Sequence, residues 1–151
     1  MTIAGAAEQG AGPANCVFCA VVRGSEPASF VYRDDQVVGI MSLDQPTRHK
    51  VLVLPREHVE TIFDLSDEQA GSLFRAAAEI ARAVRAASGC AGLNVVQSNG
   101  SAAGQDVLHF HMHLLPRAAG DQIRLDWPAR RAERAELDTM AAEIGRNMRA
   151  N

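Results

Sequence analysis

The chain has 151 residues, 47% of them hydrophobic and 22% charged, which is the profile of one ordinary soluble domain long enough to bury a core. Its 15 Lys and Arg against 18 Asp and Glu give a formal charge of -3, so the cationic field that draws proteins to phosphate backbones is missing and nucleic-acid coating is excluded. Cys16, Cys19 and Cys90 form an odd, sparse set that argues against a disulfide scaffold and for a reducing compartment. No stretch approaches the ~18 apolar residues of a membrane span, and the Ala/Gly-rich start lacks the basic and apolar regions of a leader. The expectation is a cytoplasmic protein with no membrane partner.

Residues 1–15 are small, polar and aperiodic, too poor in large apolar groups to repay the entropy of ordering them, and are expected to form a disordered tail. Val17, Phe18, Val21 and Val22 then recur at helical spacing, predicting a short helix that carries Cys16 and Cys19 and ends at Gly24 and Pro27. The runs 30–33 and 36–41, separated by Asp34-Asp35, predict a hairpin, and 49–55 (HKVLVLP) a third strand closed by proline. Ser66 with Gln69 spells a capping box and Leu65 a staple. Leu73, Phe74, Ala77, Ile80, Ala81 and Val84 then keep a 3.6 period up to the stop at Gly89. Residues 93–97 and 107–116 read as the fourth and fifth strands, and Trp127-Pro128 precedes a final helix with Leu137, Met140, Ala141 and Ile144 on one face. No repeat is present. The pattern predicts an α+β fold, a five-stranded antiparallel sheet with a long helix on one face, a short N-terminal helix and a C-terminal helix.

Within the fifth strand, Leu108-His109-Phe110-His111-Met112-His113-Leu114 alternates imidazole and apolar side chains, the period of a strand. All three imidazoles are expected on one face, with Phe110, Met112 and Leu114 in the core. Imidazole titrates near neutrality, so such a strip supplies nucleophile, acid, base or metal ligand. A catalytic zinc held by His109, His111 and His113 is one reading. Against it, a straight strand spreads the outer two over ~13 Å, so one ion reaches two of them at most. The other chemical signal is Cys16-x-x-Cys19, half of a structural zinc site. Its alternatives are a redox pair, which lacks the expected preceding strand, or two reduced core cysteines. Cys90 reads as a small buried hydrophobe.

The run from Gly104 to Arg117 (GQDVLHFHMHLLPR) resembles the signature of the histidine triad (HIT) family of nucleotide hydrolases and transferases. The likeness extends to Cys16-Val17-Phe18-Cys19, to 49–58 (HKVLVLPREH), to the helix after Leu65 and to Trp127-Pro128. It thus implies a HIT domain over 16–128 with a C-terminal helical extension over 129–151. The resemblance implies that His111 attacks the α-phosphorus of a nucleoside phosphoramidate or adenylylated compound. The resulting nucleotidyl-histidine is then cleaved by water, and His113 protonates the leaving group. His49 is expected to reach the same pocket, with Gln105, Ser98 and Asn99 near the phosphate and ribose. It also implies a structural zinc held by Cys16, Cys19, His58 and His109, a homodimer, and a purine nucleotide or nucleotide conjugate as partner. Two departures stand out: Ser42 occupies the place of an aspartate that commonly holds the ribose, and Asp106 puts a carboxylate beside the phosphate. A dinucleoside polyphosphate hydrolase, or a nucleotide-binding protein with little turnover, are the alternatives.

Overall fold

The computed structural model describes residues 12–148, which form two compact units divided between Asp121 and Gln122. The first unit contains helix α1 (Val17–Arg23), strands β1 (Phe30–Arg33), β2 (Val37–Met41) and β3 (Val51–Pro55), helix α2 (Asp67–Ser88), and strands β4 (Gly92–Gln97) and β5 (Met112–Arg117). The second contains helix α3 (Arg134–Met148), whose Leu137, Met140 and Ile144 share a face by helical spacing. Among the described residues no helix is long and apolar enough to cross a membrane.

The five strands form one antiparallel sheet in the order β1-β2-β3-β5-β4. Its centre is covered on both faces, which is why β3 is buried at every position instead of alternating. On one face α2 lays Leu73, Ala77, Ile80 and Val84 against Val37, Val51, Val53, Phe110, Met112 and Leu114. On the other, α1 sets Phe18 and Val21 against Val38, Ile40, Leu52 and Leu54. The long helix and the short N-terminal helix expected from the sequence thus take opposite faces of the sheet, α1 being short but apolar enough to seal the second.

Helix α2 starts where the sequence places it: Ser66 Oγ accepts from the Gln69 amide (3.1 Å) and Gln69 Oε1 accepts from the Ser66 amide (2.9 Å). Phe74, expected on the buried stripe, is 62% exposed, because it follows Leu73 by 100° around the helix and falls on the flank.

The fifth strand is also shorter than its alternation suggests, starting at Met112 and not at Val107. Its ladder with β3 runs from Val51↔Leu114 to Val53↔Met112, and the next hydrogen-bonding pair in that register would set Phe110 opposite Pro55, which has no N–H to donate. Phe110 N donates instead to Val59 O (2.6 Å), and Pro55 O is taken by the His109 ring (2.9 Å). The segment stays extended without its ladder, so the side-chain alternation survives.

The tail expected over 1–15 lies outside the described residues up to Ala11. Residues 12–15 are placed, Cys16 N donating to Pro13 O (3.0 Å).

Candidate active site and metal centre

Cys16 caps α1 through its own sulfur, and the helical turn returns Cys19 to the same side, so two thiols face the end of β3. His109 enters from the extended segment before β5 and His58 from the loop after β3. The Cys16 and Cys19 sulfurs each lie 3.5 Å from His109 Nδ1, and Cys19 Sγ lies 3.3 Å from His58 Nδ1. All four ligand atoms fall within 4.8 Å of one another.

A tetrahedral ion with bonds of about 2.3 Å to sulfur and about 2.0–2.1 Å to nitrogen has S···N edges of about 3.5 Å, so the spacing fits that geometry. The outer ring nitrogens are engaged as well. His109 Nε2 donates to Pro55 O (2.9 Å), which fixes the tautomer that leaves Nδ1 free to ligate, and His58 Nε2 lies 3.9 Å from Glu60 Oε1. Burial and the adjacent Cys16 push the Cys19 thiol up to about 11, so two thiolates side by side here require a cation. Burial likewise holds His109 down at about 4, in the neutral form a ligand needs.

Gly12, which falls within the stretch expected to be a disordered tail, closes this cluster. A Cβ there would collide with Cys19 Sγ and stand 2.7 Å from His58 Cβ, so only glycine fits. No pattern in the sequence marks it.

With His109 turned to the cysteines, His111 and His113 form a separate pair, ring centroids 5.0 Å apart. His111 is 5% exposed, with the edge of Phe18 against it at 5.1 Å. Its Nδ1 lies 2.7 Å from the His109 carbonyl, which can only accept, so Nδ1 carries a hydrogen and Nε2 is the nitrogen that bears the lone pair in the neutral tautomer. Burial, assisted by the nearby His111 and Lys50, pulls His113 down to about 4. His113 is therefore neutral at pH 7 in the free protein, offering an N–H. A single metal held by all three triad histidines does not form: the described metal-ligating group takes only His109 of the three.

The remaining expected residues divide. Asp106 reaches the pair, its Oδ1 3.7 Å from His111 Nε2 and its side chain 82% exposed, so the carboxylate faces the His111 ring instead of turning away. Ser42 is buried and lies on the same face of the sheet, beside Lys50, whose carbonyl accepts from the Ser42 amide (3.1 Å). Gln105, by contrast, spends its amide on the loop, donating to Glu60 O (2.7 Å) and Val107 O (3.1 Å) and accepting from Gly100 N (2.7 Å). Asn99 accepts from Ile62 N (2.7 Å) and is paired with Gln97. The neighbouring Ser98 supplies a carbonyl to Gln97 Nε2 (3.0 Å). These three hold the 97–107 loop in shape, and Gln105 and Asn99 are already hydrogen-bonded through their amides.

His49 requires a correction. Its φ of 71° is the single non-glycine positive value described, and it shares the parity of Val51 and Val53, the β3 residues that face α2. It lines a groove of about 210 Å³ with Tyr32, Met41, Val51 and Ile80, away from His111. On the triad face the position just before β3 belongs to Lys50, two residues from Leu52.

The fold and site define a class of α+β domain in which one extended histidine run serves both a Cys/His cluster and an imidazole pair. Residues 23–120 match the family described as HIT domain. Protein hit of Bacillus subtilis is 40% identical over 114 residues, covering 75% of this chain and 79% of that protein. A crystal structure from Streptococcus mutans UA159 superimposes with TM-score 0.88 at 33% identity, over 97% of this chain and 94% of that one. A Zn-bound histidine triad family protein of Mycobacterium smegmatis does so with TM-score 0.70 at 33% identity, covering 85% and 97%. The adenosine 5′-monophosphoramidase of Schizosaccharomyces pombe is 26% identical over 131 residues, covering 86% of this chain and 96% of that protein. The chain belongs to the HIT family.

Proposed function

We propose that this protein is a nucleotide hydrolase that cleaves nucleoside phosphoramidates or adenylylated compounds at the α-phosphorus through His111. The observation that carries the reading is the His111 ring itself: buried, locked by the 2.7 Å bond from Nδ1 to the His109 carbonyl, with Nε2 left as the attacking nitrogen of the neutral tautomer beside His113. The S. pombe relative's name supports the substrate class.

In the first step the Nε2 lone pair forms a bond to phosphorus as the bond to the leaving group breaks, and the leaving group takes a proton from His113. That proton arrives with the substrate, because a bound phosphate anion raises the basicity of an imidazole otherwise held near 4. The ring becomes a nucleotidyl-imidazolium, its charge eased by the His109 carbonyl and by Asp106. Water then attacks phosphorus and gives a proton back to His113. The P–N bond breaks, and Nε2 recovers its lone pair. Cys16, Cys19, His58 and His109 would hold a structural zinc, which ties α1 to the histidine segment and takes no part in these bonds. The protein acts as a cytoplasmic homodimer in this reading.

The test is steady-state hydrolysis of adenosine 5′-phosphoramidate by wild type and H111N, with an AMP adduct sought by intact-protein mass spectrometry. Loss of turnover and adduct in H111N supports the reading, and turnover retained in H111N overturns it. A binding protein with little turnover is the second reading, favoured by the Asp106 carboxylate lying 3.7 Å from Nε2 in the path of an anion. An increase in phosphoramidate turnover in D106S would support it.

A further inference from the structure

We infer that Lys50 is a specificity-determining residue of the triad face, binding a second anionic group attached to the phosphoryl group under attack. The inference rests on reading that face as a nucleotide phosphate site.

The sheet register places it. Along β3 the side chains alternate, Val51 and Val53 facing α2 while Leu52 and Leu54 face α1 and the histidines. Leu52 pairs with His113 across the ladder, and Lys50 is one pleat further along the same face. On its other side lies Ser42, whose amide bonds the Lys50 carbonyl. The backbone of Lys50 is pinned by Gln45, which accepts from Lys50 N (3.0 Å) and donates to Lys50 O (2.8 Å). Among the described residues its ammonium forms no ion pair. Lys50 is half-buried, so its charge acts in a partly desolvated setting and is felt at His113.

The face therefore carries opposite charges at its two ends, with the Asp106 carboxylate at the His111 end and the Lys50 side chain beyond His113. A substrate with one phosphate and a neutral leaving group has little use for the cation. One with a β-phosphate, a sulfate or a carboxylate next to the reacting phosphorus is repelled at the Asp106 end and held at the Lys50 end. The ligand class is thus a nucleoside 5′-phosphate extended by a further anionic group.

The experiment is calorimetric titration of wild type, K50M and K50R with AMP, adenosine 5′-(α,β-methylene)diphosphate and adenosine 3′,5′-bisphosphate. K50M is expected to weaken the methylene diphosphate about tenfold while AMP changes less than about threefold, and K50R retains most of the affinity. Equal losses for AMP and the diphosphate, no loss for either, or a loss confined to the 3′,5′-bisphosphate overturns the inference. Diphosphate binding that depends on Lys50 in a protein with no phosphoramidate turnover upholds this inference while sinking the hydrolase. Absence of any adenine nucleotide binding removes both.

Discussion

The cluster of Cys16, Cys19, His58 and His109 makes a quantitative prediction about stability. An ion shared by Cys16 and His109 cross-links positions 93 residues apart, and one shared by Cys19 and His58 spans 39. Treating the longer link as a loop closed in the unfolded chain, the lost entropy corresponds to about 4–5 kcal/mol. In a chain of this size about 1 kcal/mol moves Tm by roughly 2–4 °C, so stripping the metal is expected to lower Tm by about 10–15 °C. The assay is differential scanning calorimetry on protein as purified, after a strong chelator, and after zinc is restored, with metal content measured by plasma mass spectrometry. C16S is expected to match the stripped protein, and C90S to match wild type, because Cys90 lies outside the cluster. Metal below half an equivalent as purified, or a stripped protein melting within about 2 °C of the loaded one, would refute the reasoning.

Three further outcomes follow from the packing and titration of the site. His113 is held at about 4 when folded against an ordinary value near 6.5, so the unfolded chain binds its proton first on acidification. Its contribution to stability is complete above about pH 6.5 and is lost as pH falls toward 4. Urea denaturation across that window is expected to show a shallower pH slope in H113Q than in wild type, and identical slopes would count against it. H49G relieves a left-handed non-glycine backbone and removes a ring that faces α2. Stability within about 1 kcal/mol of wild type and an unchanged kcat are expected, whereas a large fall in kcat would restore His49 to the triad pocket. At Gly39 an added Cβ would stand 2.7 Å from Ile80 Cδ1, so G39A is expected to cost about 1–3 kcal/mol in urea denaturation, and a neutral change would mean that α2 shifts freely on the sheet.

Much of the architecture was legible because it rests on local chemistry. The Ser66/Gln69 box announces α2, and the Val/Leu run before Pro55 announces a buried strand. The alternation from Leu108 to Leu114 sorts apolar residues from imidazoles whether or not a ladder forms, which is why Phe110, Met112 and Leu114 reach the core although β5 begins only at Met112. Where the strand begins was not legible, since it depends on Pro55 meeting Phe110 across the sheet.

By itself, then, the sequence determined residue types and their short-range period: two thiols one helical turn apart, three imidazoles on alternate positions, and a resemblance that implied their roles. Tertiary structure alone decided how those groups are divided. It brought His109 to thiols 90 and 93 positions away and left His111 with His113, because side-chain partners are chosen across the sheet and not along the chain. It also decided between His49 and Lys50: neighbouring residues of one extended run face opposite sides, and only the pairing of Leu52 with His113 across the sheet fixes which of the two shares the histidines' face. The amides of Gln105 and Asn99 tell the same story: their identities suit a phosphate site, but the loop carbonyls and amides that engage them are set only when the chain has folded.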